Sequence, residues 1–212
     1  MLDSHRNIAL ACALSALAGF VDAIGFLHLG GLFVSFMSGN STRMGVSLAA
    51  GEWRPAAEAL VLIALFVLGA ACGSLIVLGR GPHSQSRLLL AEALLLAAAA
   101  LLYAFGLDRL AISAIVLAMG LENAVFQIEG GGGLGLTYVT GALVKVGQLI
   151  AAALTGGARF GWVPNLLLWA ALVAGGVVGA LAYHWINLAA IWFAAAVALV
   201  LSALVAATAK RR

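Results

Sequence analysis

Asp22 lies well inside an apolar run that extends from about residue 8 to residue 28. An ionised carboxylate at such a position costs several kcal/mol unless it is paired or wetted. Two roles are open to it: a hydrogen bond that pins helices together, or a ligand for an ion, a proton or a solute. A later apolar run carries Asn123, which can hydrogen-bond but cannot titrate. Glu122 beside it would point about 100° away on a helix, and Gln127, four residues on, would share the Asn123 face. Two further stretches each combine a hydroxyl, a glycine and a cation: Ser38-Gly39-Asn40-Ser41-Thr42-Arg43 and Thr140-Gly141-Ala142-Leu143-Val144-Lys145. A hydroxyl followed by glycine suits a helix opening, because the hydroxyl can accept a free amide and glycine permits a tight entry. Helix amino ends within a membrane present unpaired N–H groups and a positive dipole. Two such openings meeting near the midplane would make a polar site hospitable to anions, with Arg43 and Lys145 each on the face of its glycine.

Other polar residues fit less specific roles. Glu92 could pair with Arg43 or Lys145, or sit near an interface, and His28 reads as an interfacial residue. No histidine or cysteine set has metal-ligand spacing. No Ser-His-Asp or Cys-His constellation is readable. The run Gly130 to Gly133 lacks the lysine and hydroxyl of a phosphate loop and reads as a hinge. An enzyme, a metal centre and a bound cofactor are therefore not expected.

Elements that could hold these residues follow from composition. Of 212 residues, 64% are hydrophobic and only 9% charged, against about a quarter charged in an average soluble domain. That excludes an ordinary water-soluble globule, a disordered chain and a nucleic-acid binder. A single all-α membrane domain over 1–212 is expected, with the lipid bilayer as its main partner. Eight apolar segments run near 8–28, 33–50, 56–79, 86–105, 109–128, 134–155, 163–183 and 186–208. Cys12 and Cys72 fall inside such segments and read as small buried hydrophobes.

The two halves resemble each other. A shift of 101 residues lays Gly19-Phe20-Val21-Asp22-Ala23 on Gly120-Leu121-Glu122-Asn123-Ala124, and a shift of 102 lays Ser35-Phe36-Met37-Ser38-Gly39 on Thr137-Tyr138-Val139-Thr140-Gly141. Gly69 and Gly73 fall on Gly175 and Gly179 at a shift of 106, as small-residue packing seams. The expected architecture is a helix bundle of two fused repeats, about 8–105 and about 109–208. The polar segments 33–50 and 134–155 suit re-entrant or broken helices better than lipid-facing spans, which leaves six spans and inverts one half against the other. The alternative is eight spans with parallel halves. Basic residues do not separate the two: in each, Arg6, Arg159 and the C-terminal Lys210, Arg211 and Arg212 are inside, and Arg80 and Arg87 merely exchange sides with Arg54 and Arg109.

The motifs Gly19-Phe20-Val21-Asp22-Ala23, Phe36-Met37-Ser38-Gly39-Asn40, Gly120-Leu121-Glu122-Asn123-Ala124 and Thr137-Tyr138-Val139-Thr140-Gly141, in this order and across nearly the whole chain, resemble the signatures of the YoaK family of bacterial membrane proteins (DUF1275). The resemblance implies a multi-pass inner-membrane protein with a permease role and no assigned substrate. Members of that family typically have Thr-Gly-Asn where this chain has Ser38-Gly39-Asn40, and Thr-Gly-Thr where it has Thr140-Gly141-Ala142, so position 142 offers no hydroxyl.

The functional expectation is transport of a small, unidentified solute, anionic if the two cations meet it. Asp22 and Asn123 would line the site. Ser38, Gly39, Asn40, Thr140 and Gly141 would add backbone and hydroxyl contacts, and Arg43 and Lys145 would add charge. The competing expectation is a non-transporting membrane scaffold or assembly protein whose polar core only fixes helix packing. Either is compatible with a homo-oligomer.

Overall fold

The computed structural model describes residues 5–79, 83–125 and 139–209. Among these the chain is helical: α1 (His5–His28), α2 (Met37–Ala49), α3 (Trp53–Leu78), α4 (Ser84–Ala104), α5 (Asp108–Glu122), α6 (Val139–Leu154), α7 (Val163–Ile186), a 3-10 turn η1 (Asn187–Ala190) and α8 (Ile191–Ala209). The glycine run 130–133, expected to be a hinge, lies outside the described residues. Four stretches are long and apolar enough to cross a membrane: Asn7–His28, Trp53–Leu78, Ser84–Ala104 and Val163–Thr208. The last contains both α7 and α8, parted at Asn187, where φ is 52°.

Glycine sets the closest helix contacts. A Cβ on Gly19 would strike the Leu172 carbonyl, one on Gly175 the Ala16 carbonyl, and one on Gly179 the Phe20 carbonyl. The buried Ser15 hydroxyl donates to the Leu168 carbonyl at 2.9 Å in the same seam, and from Ser15–Leu168 through Phe20–Gly179 to His28–Tyr183 the contacts rise along both helices, so α1 and α7 run parallel. A matching seam joins α3 to α5. There a Cβ on Gly69 would strike Leu117, one on Gly120 would strike Phe66, and one on Gly73 would lie 2.6 Å from the Leu121 carbonyl oxygen. In lipid there is no hydrophobic drive between helices, so such backbone-to-backbone approach supplies the attraction through van der Waals packing.

The helix ends bear on the six-or-eight question. His28 at the end of α1 meets Tyr183 near the end of α7 (3.3 Å, Nδ1 to hydroxyl) and packs edge-on to Tyr103 near the end of α4. The starts of α3 and α5 join the same end around one cavity. At the opposite end, Gln85 of α4 donates to the Val125 carbonyl just past α5 at 3.0 Å, and Ser202 of α8 donates to the Ser86 carbonyl at 2.8 Å. Six helices therefore run between the two ends: α1, α4 and α7 one way, α3, α5 and α8 the other. An eight-span chain would reverse α3, α4 and α5. The 13-residue α2 follows the end of α1 and precedes the start of α3, both at the His28 end. It leaves and returns to the His28 end, packed on α3. Packed on α7, α6 lies between the end of α5 and the start of α7, both at the Gln85 end.

The outer surface is apolar, with Val67, Leu75, Leu94, Val178, Leu199 and Leu204 among the exposed side chains. Cys72 is also exposed and Cys12 only half-buried, so neither is the fully buried hydrophobe expected. A surface of this kind faces lipid; the protein is a polytopic helical membrane protein.

Candidate functional site

The first half's polar motif encloses a non-helical stretch. Gly30 and Gly31 turn the chain out of α1 with φ of 62° and 104°. The chain then doubles back along α1 as 32–36 before α2 begins, and its backbone groups have no helical partners. Three side chains supply them. Oδ1 of Asp22 accepts the amides of Val34 and Ser35, both at 2.8 Å. Asn40, fully buried, clamps Phe33 from both sides: its Oδ1 accepts the Phe33 amide at 2.8 Å and its Nδ2 donates to the Phe33 carbonyl at 2.7 Å. Arg43 donates from Nη1 to the Gly31 carbonyl at 2.9 Å. Backbone that enters a membrane outside a helix must be satisfied within the protein, and these three residues do it. Gly39 stays small because a Cβ would press on the Phe33 and Phe36 rings at 2.8 and 2.7 Å.

Two expectations change here. The hydroxyl of Ser38 does not cap a helix: α2 starts one residue earlier, after Phe36, with no side-chain cap, and Ser38 is exposed. Thr140 lies in the first described turn of α6 and is also exposed. Nor do the two helix openings meet, since α2 and α6 share no contact. The odd number of crossing helices in each half delivers them to opposite ends. Asp22, Asn40 and Arg43 are brought together around one loop, with Gly39 beside it and Ser38 turned outward. Asn123 stands apart on α5, its Nδ2 donating to the Met119 carbonyl at 2.9 Å. Gly141 is half-buried and Lys145 exposed on α6.

A different feature has the shape of a site. At the His28 end, the end of α1, the start of α3 and the start of α5 enclose a cavity of about 500 Å³. Its polar lining comprises His28, Arg54, Glu58, Asp108, Arg109 and Ser113, over an apolar floor that includes Leu32, Leu62 and Ile112. Arg54 and Glu58 form an exposed ion pair at 3.3 Å, worth about 0–1 kcal/mol and so easily rearranged around a guest. The volume lies in the usual range for small-molecule pockets. From the sequence, Arg54 and Arg109 read only as loop charges that set orientation; nothing in their local pattern signals that residues some 55 apart share a cavity. A second cavity, of about 350 Å³, opens between α1 and α7 beside Asp22 and is otherwise apolar.

No solved structure matches the chain. It is 39% identical over 170 residues to UPF0700 transmembrane protein RA0705 of Rhizobium meliloti (strain 1021), covering 80% of this chain and 72% of that protein. It is 28% identical over 159 residues to UPF0700 transmembrane protein YoaK of Bacillus subtilis (strain 168), covering 71% and 70%. The family described as protein of unknown function (DUF1275) matches residues 10–204. With the motifs, the helical membrane fold and these relatives in agreement, the chain belongs to the DUF1275 family of transmembrane proteins, the YoaK family.

Proposed function

We propose that this protein transports a small charged solute across the bacterial inner membrane, using two inverted repeats that rock against each other. The observation that carries this reading is the cavity at the His28 end. It joins α1 and α3 to α5, so it spans both halves, and its lining offers charges of both signs. The repeat reading is supported by the seams: three close glycine contacts between α1 and α7 have counterparts between α5 and α3. Gly19 on Leu172 corresponds to Gly120 on Phe66, Gly175 on Ala16 to Gly69 on Leu117, and Gly179 on Phe20 to Gly73 on Leu121. Inverted repeats with non-crossing helices are a recurring transporter architecture. Read along the sequence in a six-span chain, Arg6, Arg80, Arg87, Arg159 and the C-terminal Lys210, Arg211 and Arg212 fall on the Gln85 side, which favours a cytoplasmic position for that end by the positive-inside rule, with the cavity on the outer side.

In this reading Asp22, Asn40 and Arg43 belong to the frame and not to the solute. Their bonds go to the backbone of residues 31–35. The solute meets Arg54, Glu58, Asp108 and Arg109 first. A thermal-shift screen of amino acids, carboxylates and amines on the purified full chain, followed by uptake of any hit into liposomes, tests the proposal. A hit should raise the melting temperature of the wild type, and Arg109→Ala should weaken that shift and slow uptake at least tenfold while leaving the unliganded melting temperature unchanged. If a solute is taken up at the same rate by Arg109→Ala and by Asp108→Asn, the cavity is not on its path.

A further inference from the structure

Glu92 in α4 and Glu122 at the end of α5 are both completely buried. Among the described residues, all four of their carboxyl oxygens lack a hydrogen-bond partner. Their helices pack against each other, and the Gln85–Val125 bond sets the start of α4 beside the end of α5, so Glu92 and Glu122 stand toward the same end of this helix pair. The buried residues flanking them along α4 and α5 are apolar: Leu88, Leu89, Leu96, Ala118 and Met119. Buried polar groups in folded chains are nearly always bonded. A carboxylate away from water is costly when uncompensated, and two together repel. Both costs disappear when positive charge arrives.

Among the described residues, the surrounding elements bring no fixed counter-charge to the pair. Within the described residues η1 and α8 carry no titratable side chain. On α3 the charged residues Arg54 and Glu58 stand at the far end, and Cys72 is exposed. The other charged residues of α5, Asp108 and Arg109, are also at the far end, as is Tyr103 of α4. Arg87, five residues before Glu92 on α4, is exposed, on another side of the helix. From α1, Asp22 is bonded to its own loop, Cys12 is half-buried, and His28 is bonded to Tyr183 at the far end. A metal cation would require about six oxygens, and the described residues contain no group of three or more His, Cys, Asp or Glu able to hold one. A proton requires a single oxygen.

We propose that Glu92 and Glu122 form an exchangeable proton-binding site where the first half of the chain meets the second. On binding, a proton leaves hydronium and forms an O–H bond on one carboxylate, which becomes neutral. On release, the O–H bond breaks, the electron pair stays on the oxygen and the proton returns to water. No oxidant or reductant enters. That the bound proton drives solute movement rests on the transport reading; the binding site itself does not.

Infrared difference spectroscopy of the full chain in lipid, titrated with pH, tests the site without any solute. The expected result is a carboxylic-acid C=O band that rises and falls with pH, is lost in the double variant Glu92→Gln/Glu122→Gln, and changes its titration midpoint in either single variant because the two groups interact. Glutamine has the shape of the protonated side chain, and an unchanged melting temperature would show that the variants are folded. Asp22→Asn should leave this band in place. A pH-dependent band that survives the double variant would overturn the proposal, as would a band abolished by sodium at constant pH. Failure of liposome uptake with the band intact would instead count against the transport reading alone.

Discussion

Gly175→Leu should prevent the protein from accumulating as a folded monodisperse species. Its Cβ would collide with the Ala16 carbonyl, and backbone, unlike a side-chain tip, cannot rotate away. Overpacking a core typically costs about 1–3 kcal/mol; here the whole α1–α7 seam must open, so the effect belongs at or above the top of that range. Gly69→Leu should do the same to α3 and α5, where the obstacle is the Leu117 carbonyl. The internal control is one residue away. A Cβ on Gly176 would meet only the Gly19 carbonyl oxygen, at 3.7 Å, an ordinary contact. Gly176→Ala should therefore behave as wild type. Yield after detergent extraction, size-exclusion profile and melting temperature report all three variants together. Equal tolerance of Gly175→Leu and Gly176→Ala would mean that α1 and α7 are not in backbone contact.

The second large effect is expected at Asn40. Asn40→Ala leaves both polar groups of Phe33 without the side chain that satisfies them. Each buried group left unpaired costs about 1–3 kcal/mol, so the loss should be about 3 kcal/mol or more, read as a fall in melting temperature. Asp22→Ala should have a comparable effect, since the amides of Val34 and Ser35 both rely on the same oxygen. Asp22→Asn keeps an acceptor oxygen in place and should be milder. Ser41→Ala provides the contrast: that hydroxyl is exposed and donates to Met37 in its own helix, and its removal should fall within about 0.5 kcal/mol of neutral. If Asn40→Ala melts like Ser41→Ala, the 32–36 segment is not held as described.

The residues themselves show where sequence reasoning reaches. Runs of apolar residues located the helices to within a few positions, because only a helix can take unbroken hydrocarbon-facing backbone across a bilayer. The paired glycines, Gly19 with Gly120 and Gly69 with Gly175, are visible as repeats in the sequence, and the spacing of the second pair with Gly73 and Gly179 points to packing. Which helix each would touch was not visible, since the contacts cross between halves. Asp22 stood out for its cost, yet cost does not reveal its recipient. The two amides that receive it belong to a segment 12 and 13 residues later, a distance at which no helical periodicity operates. The hydroxyl-glycine pairs misled for a local reason: Ser38 lies inside the first turn of α2 rather than before it. The cavity at the His28 end was invisible because three helix ends, far apart in sequence, build it. Glu92 and Glu122 were each noticed singly; only packing of α4 on α5 makes them a pair.

The whole account depends on three crossing helices per half, with α2 and α6 entering from opposite faces. Single cysteines at Phe105, Ala158 and His184, placed one at a time in a chain whose Cys12 and Cys72 are replaced by alanine, measure this directly when intact cells are treated with a membrane-impermeant maleimide. Phe105 and His184 should label alike from one face, and Ala158 only from the other. Labelling of Phe105 together with Ala158, and of His184 from the opposite side, would mean that α2 and α6 cross the bilayer, and the inverted architecture would be wrong.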